Sequence, residues 1–266
     1  MIPIVSYYFD QKFDKFEMKR CSNTLHAERE HFHQELSIGL IEEGTTLVEF
    51  EGVSYNFSKQ DLIIIPPRLI HNCNPIDINS WKFTMVYIDY DWFYKIFELK
   101  LNRNILLYSK LKQDKFTEIK SYFSSLEDSL NHSTKELFLI EFLKKYLIEN
   151  NIKLKNLELN SLKKDKIKRL KVYIEKNFNQ KITLDELSDI SGISKYHLIR
   201  NFKKIYKISP LTYQRNLRFN FAKRELKEGK DLAKIAVNLG YYDQSHLTNE
   251  FKKFSGTTPN DYRENL

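Results

Sequence analysis

The side chains best suited to molecular recognition lie in a motif that occurs twice near the C-terminus, 49 residues apart. In each copy a phenylalanine can anchor a helix in a core while the lysines that follow meet phosphate groups as point charges. A lysine-rich surface without any partner is the alternative. The first copy contains His197-Leu198, Phe202-Lys203-Lys204, Ser209-Pro210 and Tyr213, and the second contains His246-Leu247, Phe251-Lys252-Lys253, Thr258-Pro259 and Tyr262.

The first copy predicts a helix with one buried face and one outward face. Leu198 and Phe202 are four residues apart and should face the core. Arg200 is the strongest base-reading candidate, because its planar guanidinium can pair with O6 and N7 of guanine. A phosphate contact or a solvated position is the alternative for this arginine. The outward side chains are Lys195, Tyr196, Ile199, Arg200 and Lys203.

The second copy carries side-chain amides where the first carries an arginine. Leu247 and Phe251 form its core pair, and the amides of Gln244 and Asn249 can bind N6 and N7 of adenine. Because this helix has no arginine, we expect it to contribute less sequence discrimination than the first. Glu250 would repel phosphate unless its side chain faces away. The outward set is Gln244, Ser245, His246, Asn249, Lys252 and Lys253.

Each copy completes a helix-turn-helix pattern that could enter a DNA major groove. In the first copy, residues 184–188 predict a short helix, Gly192 lies in the turn, and Ser194 can cap the second helix. The equivalent positions of the second copy are Asp231 to Ala236, Gly240 and Asp243. Two such patterns in tandem are far more specific than one.

One further helix is predicted between the two units. Ser209-Pro210 opens it and Gly229 closes it, which are good signals for the two ends of a helix. About 20 residues at about 1.5 Å rise span roughly 30 Å, close to the about 34 Å between successive major-groove faces of DNA. The sequence therefore predicts a rigid connector that holds two reading helices about one DNA turn apart.

Positive charge is concentrated in the C-terminal part of the chain. The formal net charge is +8, but residues 161–266 contain 23 Lys+Arg against 12 Asp+Glu, whereas residues 1–160 contain 20 against 23. This asymmetry indicates that only the C-terminal part meets a polyanion. Cys21 and Cys73 fit no metal or disulfide spacing, and no stretch approaches the about 18 apolar residues of a membrane span. We expect a soluble, cytoplasmic protein of two domains.

Between Glu35 and Ile88 the hydrophobic period is two, which is typical of strands. Turn signals at Glu43-Gly44 and Glu51-Gly52 separate short runs, so an antiparallel barrel or sandwich is predicted. The predicted strands are residues 36–41, 46–50, 61–65 and 81–87.

Helical periodicity follows the strands. One apolar stripe contains Ile119, Tyr122, Phe123, Leu126 and Leu130, and another contains Leu137, Ile140, Leu143, Tyr146 and Leu147. Residues 150–164 are polar and lack a period, which predicts an interdomain linker. The expected domains are residues 1–149 and 165–266, with helix-turn-helix units at about 183–204 and 231–253.

Residues 167–266 closely resemble the DNA-binding domain of AraC/XylS transcription regulators. The resemblance covers the whole domain and implies sequence-specific binding to double-stranded DNA, with activation or repression of promoters and a possible contact with RNA polymerase. It is carried by Ile235-Ala236, Leu239-Gly240-Tyr241, Ser245-His246-Leu247, Phe251-Lys252-Lys253, Gly256-Thr257-Thr258-Pro259 and Tyr262-Arg263.

Residues 31–75 resemble the cupin-type barrel common in that family, through residues 31–35, Gly44, residues 61–67 and His71. The glycine usual before Asp61 is replaced by Gln60. The resemblance implies an α+β protein: an N-terminal cupin-like barrel that binds a small effector, helices that form a homodimer, and a C-terminal all-α domain with two helix-turn-helix units. It does not identify the effector.

The barrel supplies the candidate effector-binding residues His31, His33, His71, Trp81 and Tyr87. The histidines have the order of cupin metal ligands, and three imidazoles would suit a divalent transition metal. However, Ser37 or Ile38 stands where the cupin carboxylate would be, so we expect no metal, no other cofactor and no catalytic residue. Trp81 and Tyr87, with Met85, share one strand face and could be pocket wall or ordinary core.

Two other functions remain as alternatives to a ligand-responsive regulator. The histidines would also suit a cupin metalloenzyme with an accessory DNA-binding domain. The excess of lysine would also suit a nucleoid-like protein that coats DNA without sequence preference.

Overall fold

The computed structural model describes residues 4–24, 29–50, 53–101, 105–128, 131–149, 153–156 and 164–264. Antiparallel strands occupy the N-terminal part and helices the C-terminal part, which confirms the α+β prediction. None of the helices in these ranges is long and apolar enough to cross a membrane.

The strands form two antiparallel sheets. The larger has the order β1-β2-β8-β3-β6-β9-β10 and the smaller has the order β5-β4-β7. The strands are β1 (Ile4–Phe9), β2 (Phe16–Ser22), β3 (Leu36–Glu43), β4 (Thr45–Phe50), β5 (Val53–Ser58), β6 (Asp61–Ile65), β7 (His71–Pro75), β8 (Lys82–Ile88), β9 (Ile105–Lys110) and β10 (Lys153–Asn156).

Sequence periodicity identified β3, β4, β6 and β8 and missed the other strands, among them β2. That strand has the sequence FEMKRCS, and its charged residues Glu17 and Lys19 are as buried as Phe16 and Met18. Charged residues at alternate positions of a strand normally indicate a solvated face. In β2 the charged face is instead covered by the C-terminal domain, which local sequence could not reveal.

Gln60 occupies the position at which a glycine is usual, and its φ of 73° is left-handed. Its backbone N–H donates to the carbonyl of Ile41 at 2.9 Å, and the carboxylate of Asp61 accepts from the N–H of Ser58 at 2.6 Å. These bonds hold the β5–β6 turn although the left-handed conformation costs about 1–2 kcal/mol for a residue with a Cβ. The turn therefore forms without the glycine.

Among the described residues, a 3-10 turn (Ile78–Ser80) and three α-helices accompany the sheets. The helices are α1 (Tyr90–Phe97), α2 (Gln113–Glu127) and α3 (His132–Leu143), and α3 continues as a π-helical turn over Lys144–Ile148. On α2 the predicted stripe is correct, since Ile119, Phe123 and Leu126 are buried against the larger sheet. Leu130 lies outside the described residues.

The predicted stripe of α3 was wrong at Leu137, which is 62% exposed. The buried face is carried by Leu139, Phe142, Leu143 and Tyr146 instead. Two of these residues, Leu143 and Tyr146, belonged to the predicted set, so the real stripe is rotated around the helix. The predicted positions 137, 140 and 143 are three residues apart, and at 3.6 residues per turn each such step drifts by about 60° around the helix.

The C-terminal domain consists of α4 (Lys164–Asn177), α5 (Leu184–Ser191), α6 (Lys195–Tyr206), α7 (Pro210–Lys227), α8 (Leu232–Asn238), α9 (Gln244–Ser255) and α10 (Pro259–Glu264). Ser209, Asp231 and Asp243 cap α7, α8 and α9 through side-chain hydrogen bonds. Ser194 is the N-cap residue of α6, as predicted, although its side chain makes no cap hydrogen bond.

The predicted linker is only partly described. Residues 150–152 and 157–163 lie outside the described residues, and Lys164 begins α4. Residues 153–156 form β10, which pairs with β9 at the edge of the larger sheet. Part of the expected linker is thus a strand.

The two domains share hydrophobic cores. Phe32 and Ile70 of the N-terminal domain pack in the core of the first helix-turn-helix unit, and Tyr7 packs in that of the second. The helix α7 contributes Leu217 to the first of these cores and Phe219 to the second. The connector helix α7 therefore also supplies part of the surface against which the N-terminal domain packs.

Candidate functional site: an interdomain cavity and two recognition helices

The helix α6 presents the side chains that the sequence predicted to face outward. Leu198 and Phe202 are fully buried, whereas Ile199 is half-buried. Glu30 of the N-terminal domain pairs with Lys203 at 2.8 Å, so this lysine is engaged across the domain interface. The exposed members of the predicted set are Lys195, Tyr196, Arg200 and Lys203.

The helix α9 has the same arrangement around its buried Leu247 and Phe251. Glu250 faces inward, is 6% exposed, and pairs with Lys253 at 2.5 Å and Arg215 at 3.6 Å. It therefore does not repel phosphate from the outward face. The predicted residues on α9 are all exposed: Gln244, Ser245, His246, Asn249, Lys252 and Lys253.

Arg218 of α7 ties the two helix-turn-helix units together, a role that the sequence did not reveal. Its guanidinium donates to the carbonyls of Phe178 at 2.7 Å, Gly240 at 2.7 Å and Gln180 at 2.8 Å. Gly240 lies in the turn of the second unit, and the other two residues lie between α4 and α5 of the first. One buried side chain thus sets the relative position of both turns.

A cavity lies where the smaller sheet, the larger sheet and the C-terminal domain meet. The space between its walls is about 750 Å³ when the open solvent at its mouth is counted. The candidate effector residues His31, His33, His71, Trp81 and Tyr87 all line it. Much of the remaining wall is apolar, including Ile41, Val48, Phe50, Ile63, Ile65 and Phe83.

Three residues of the C-terminal domain also line this cavity. Phe219 and Lys223 lie on α7, and Phe254 lies on α9. A molecule in the cavity would therefore contact both domains at once. The pocket predicted from the sequence lay in the barrel alone and lacked this wall.

Two lysines face the cavity, Lys19 on β2 and Lys223 on α7. The ammonium of Lys19 donates to the carbonyl of Ser255 at 2.7 Å, at the end of α9. Burial lowers the pKa of Lys19 to about 8. Lys223 pairs with Glu17 at 2.7 Å and lies 3.8 Å from Glu35.

Glu17 is the centre of the polar contacts between the domains. Lys223 and Lys227 approach its carboxylate at 2.7 and 2.5 Å, and the hydroxyl of Tyr262 donates to it at 2.5 Å. Burial alone would raise the pKa of Glu17, but the two ammonium groups hold it at about 2. The carboxylate is therefore charged in a site that is 1% exposed.

A second set of contacts holds the first helix-turn-helix unit. The backbone N–H of Phe32 donates to the side-chain oxygen of Asn216 at 2.7 Å, and the amide of Asn220 donates to the carbonyl of Phe32 at 3.2 Å. The Phe32 ring lies 5.1 Å from that of Tyr213. Both asparagines and the tyrosine belong to α7, so the N-terminal domain holds this helix along much of its length.

The histidines form a compact cluster in the cavity wall. Ring centroids are separated by 5.0 Å for His31 and His33, 4.3 Å for His31 and His71, and 5.2 Å for His33 and His71. Burial lowers the pKa of all three, to about 4 for His71. The imidazoles are therefore neutral at physiological pH.

Comparison with known proteins agrees with both parts of this architecture. Residues 18–144 match the AraC-like ligand binding domain, and residues 187–265 match a helix-turn-helix domain family. The chain is 28% identical over 226 residues to the uncharacterized HTH-type transcriptional regulator YbfI of Bacillus subtilis, covering 82% of this chain and 80% of YbfI.

Two further proteins are similar to this chain, one over about a third of its length and one over nearly all of it. The multiple antibiotic resistance protein MarA of Salmonella typhimurium is 34% identical over 92 residues, which cover 34% of this chain and 72% of MarA. The structure of unsaturated fatty acid bound ToxT from Vibrio cholerae has a TM-score of 0.51 at 14% identity and covers 99% of this chain and 95% of ToxT. The chain belongs to the AraC family of DNA-binding transcription regulators, with an N-terminal ligand-binding domain.

Proposed function

We propose that this regulator is controlled by a small carboxylate with an apolar body, bound in the interdomain cavity. The observation that carries the proposal is the composition of the cavity wall, in which Phe219, Lys223 and Phe254 belong to the DNA-binding domain. Because the ligand would contact both domains, its binding free energy can act directly on how they are docked.

The charges around the cavity favour an anion. Three cations, Lys19, Lys223 and Lys227, lie with two carboxylates, Glu17 and Glu35, at the domain interface. This leaves one positive charge in excess, in surroundings where burial strengthens electrostatic interactions. A carboxylate would balance that charge while its apolar part contacts the aliphatic and aromatic wall. The fatty acid named for ToxT has this combination of groups.

The ligand would reach the recognition helices through the two lysines. Lys19 holds the end of α9 through the carbonyl of Ser255, and Lys223 is part of α7. A carboxylate that draws the Lys19 ammonium away weakens the bond to Ser255, and one that binds Lys223 competes with Glu17. Either change alters how the docked domain holds α7 and α9, and thereby which DNA sites the protein can occupy.

The carboxylate is tested by isothermal titration of the full chain with oleate, decanoate and 3-phenylpropionate, each compared with its methyl ester. We expect an acid to bind and its ester to bind at least about tenfold more weakly, because the ester lacks the charge that the lysines recognise. Lys19→Met should weaken binding of the acid by about tenfold or more and leave the ester unaffected.

Lys115→Met is the matched control, since Lys115 lies on the outer surface of α2, paired with Glu118 at 2.9 Å. It should bind the acid as the wild type does. Thermal unfolding establishes that each variant is folded. Equal affinity for acids and esters, or an acid affinity that Lys19→Met leaves unchanged, would contradict the proposal.

We further propose that Arg200 reads a base and that Lys203 leaves its ion pair with Glu30 to contact phosphate. With an operator selected from random DNA, Arg200→Ala should cost about 1–3 kcal/mol and relax specificity at one position. Lys203→Ala should weaken binding to all sequences alike and flatten its salt dependence. Competition binding against random DNA at several salt concentrations measures both effects. The same response from both variants would refute this division of roles.

On DNA we propose a homodimer that contacts RNA polymerase at promoters. Leu137 and Ile148 support a dimer, because these side chains beside the α2–α3 pair are 62% and 47% exposed. The two positions are about three turns apart along the helix, and large aliphatic side chains exposed on one element are a feature of protein contact surfaces. Sedimentation of the full chain with and without operator DNA tests the oligomeric state.

A further inference from the structure

The histidine cluster has a geometry that the carboxylate proposal does not use. His31 and His33 come just before β3, and His71 begins β7 of the other sheet, where its backbone exchanges hydrogen bonds of 2.9 Å with that of His31. One ring nitrogen from each histidine lies within 4.8 Å of those of the other two. Backbone pairing thus brings the imidazoles of both sheets together at one wall of the cavity.

Hydrogen bonds fix the tautomers of two of these rings. His31 Nδ1 lies 2.8 Å from the carbonyl of Arg29, and His71 Nδ1 lies 3.0 Å from that of Leu69. A carbonyl only accepts, so each Nδ1 carries the proton. Since both rings are neutral, each Nε2 keeps an available lone pair. Anchoring of the other ring nitrogen on a carbonyl is the usual support of a histidine that binds a metal.

Among the described residues, no hydrogen bond joins the remaining nitrogens of the three rings to another group. A single water molecule can donate to only two lone pairs at once. A divalent transition-metal ion can accept all three. Imidazole nitrogens bind such ions at about 2.0–2.1 Å, which places them about 3.4 Å apart in a tetrahedral site. Small side-chain rotations would close the cluster to that spacing.

We propose that His31, His33 and His71 bind a divalent transition-metal ion in the wall of the cavity. Three neutral imidazoles suit Zn²⁺ or Co²⁺ and do not suit Mg²⁺ or Ca²⁺, which prefer oxygen ligands. This replaces the expectation of a metal-free cluster. With only three protein ligands, the ion keeps a coordination position open to the cavity.

The charges nearby define what that open position takes. Lys19 and Lys223 line the same cavity, and Glu17 and Glu35 offset part of their positive charge. The remaining positive charge disfavours a cationic ligand at the open position of the metal ion. A metal ion raises the positive charge of the cavity further, so an anion or hydroxide completes the site. The ion and an anionic effector therefore favour each other's binding. The metal site does not depend on the effector, and it can be tested with the metal alone.

Titration of the full chain with Co²⁺ under visible absorption is the test. We expect one equivalent to give the intense bands of four-coordinate Co²⁺, without the near-ultraviolet charge transfer of a thiolate ligand such as Cys73. His33→Ala should abolish these bands, and His132→Ala should leave them unchanged. His132 is an exposed histidine at the start of α3 and serves as the matched control.

A second measurement separates loss of the site from loss of the fold. Zn²⁺ should raise the thermal unfolding temperature of the wild type and of His132→Ala, but not that of His33→Ala. His33 is only partly buried, so the variant should remain folded and keep its circular dichroism. Absent bands, pale octahedral bands only, or identical binding by wild type and His33→Ala would each overturn the proposal. None of these results bears on the binding of oleate.

Discussion

Replacing Glu17 by alanine is expected to lower the free energy of unfolding by about 3–5 kcal/mol, the cost of removing one partner from a buried ion pair. The change leaves the ammonium groups of Lys223 and Lys227 and the hydroxyl of Tyr262 without their shared acceptor. Urea unfolding measures the effect, with proteolysis as a second probe of domain docking.

Glu118→Ala is the control, since Glu118 pairs with Lys115 and Lys145 on the outer surface. Surface pairs contribute about 0–1 kcal/mol, so this variant should stay close to the wild type. Similar losses from both variants would show that the Glu17 cluster does not hold the domains together.

The same carboxylate predicts how docking depends on pH. Its pKa is about 2 in the folded chain, below the ordinary value of 4.5, so its stabilisation is present above the ordinary value and is lost as pH falls toward 2. The stability difference between wild type and Glu17→Gln should be constant above about pH 5.5 and shrink at lower pH. A difference that persists unchanged to pH 3 would contradict this assignment.

Gly240→Ala is expected to be comparably damaging. The residue has a φ of 70°, and a Cβ there would lie 1.9 Å from the carbonyl oxygen of Asn179 and 2.8 Å from its carbon. Both are backbone atoms, held by the hydrogen bonds of Arg218 to the neighbouring carbonyls. Overpacking and left-handed strain together should cost about 3–5 kcal/mol in urea unfolding.

The first helix-turn-helix unit supplies the control for this substitution. Gly192 occupies the corresponding turn with a φ of 62°, but a Cβ there would meet nothing within 4 Å. Gly192→Ala should therefore cost only the left-handed strain of about 1–2 kcal/mol. If Gly240→Ala and Gly192→Ala lowered the free energy of unfolding equally, left-handed strain alone would explain both losses, and the close contact at Gly240 would contribute nothing.

Gly240→Ala should also disturb DNA recognition, because its turn sets the position of α9 relative to α6. Footprinting of folded variant protein should show reduced protection of the half of the operator contacted by α9. Full protection of both halves of the operator would show that the turn contributes to stability but does not set the position of α9.

Local sequence determined the elements that recognise DNA. Leu198, Phe202, Leu247 and Phe251 recur at helical spacing, so the buried faces of α6 and α9, and with them the outward faces, could be predicted. Asp243 caps α9 and Gly229 follows the end of α7, and because such signals act within one turn of the chain these helix ends were also predictable. Leu137 was misplaced because a stripe of residues spaced three apart drifts around a helix of 3.6 residues per turn.

Only the tertiary structure decided where the ligand cavity lies and what holds the domains together. Glu17 and Lys19 contact Lys223 and Ser255, more than 200 positions away along the chain, and their charges had no local sign of burial. Periodicity tells which face of an element is apolar, but not which distant face will cover it. The recognition helices were therefore determined locally, whereas the cavity depends on docking of the two domains.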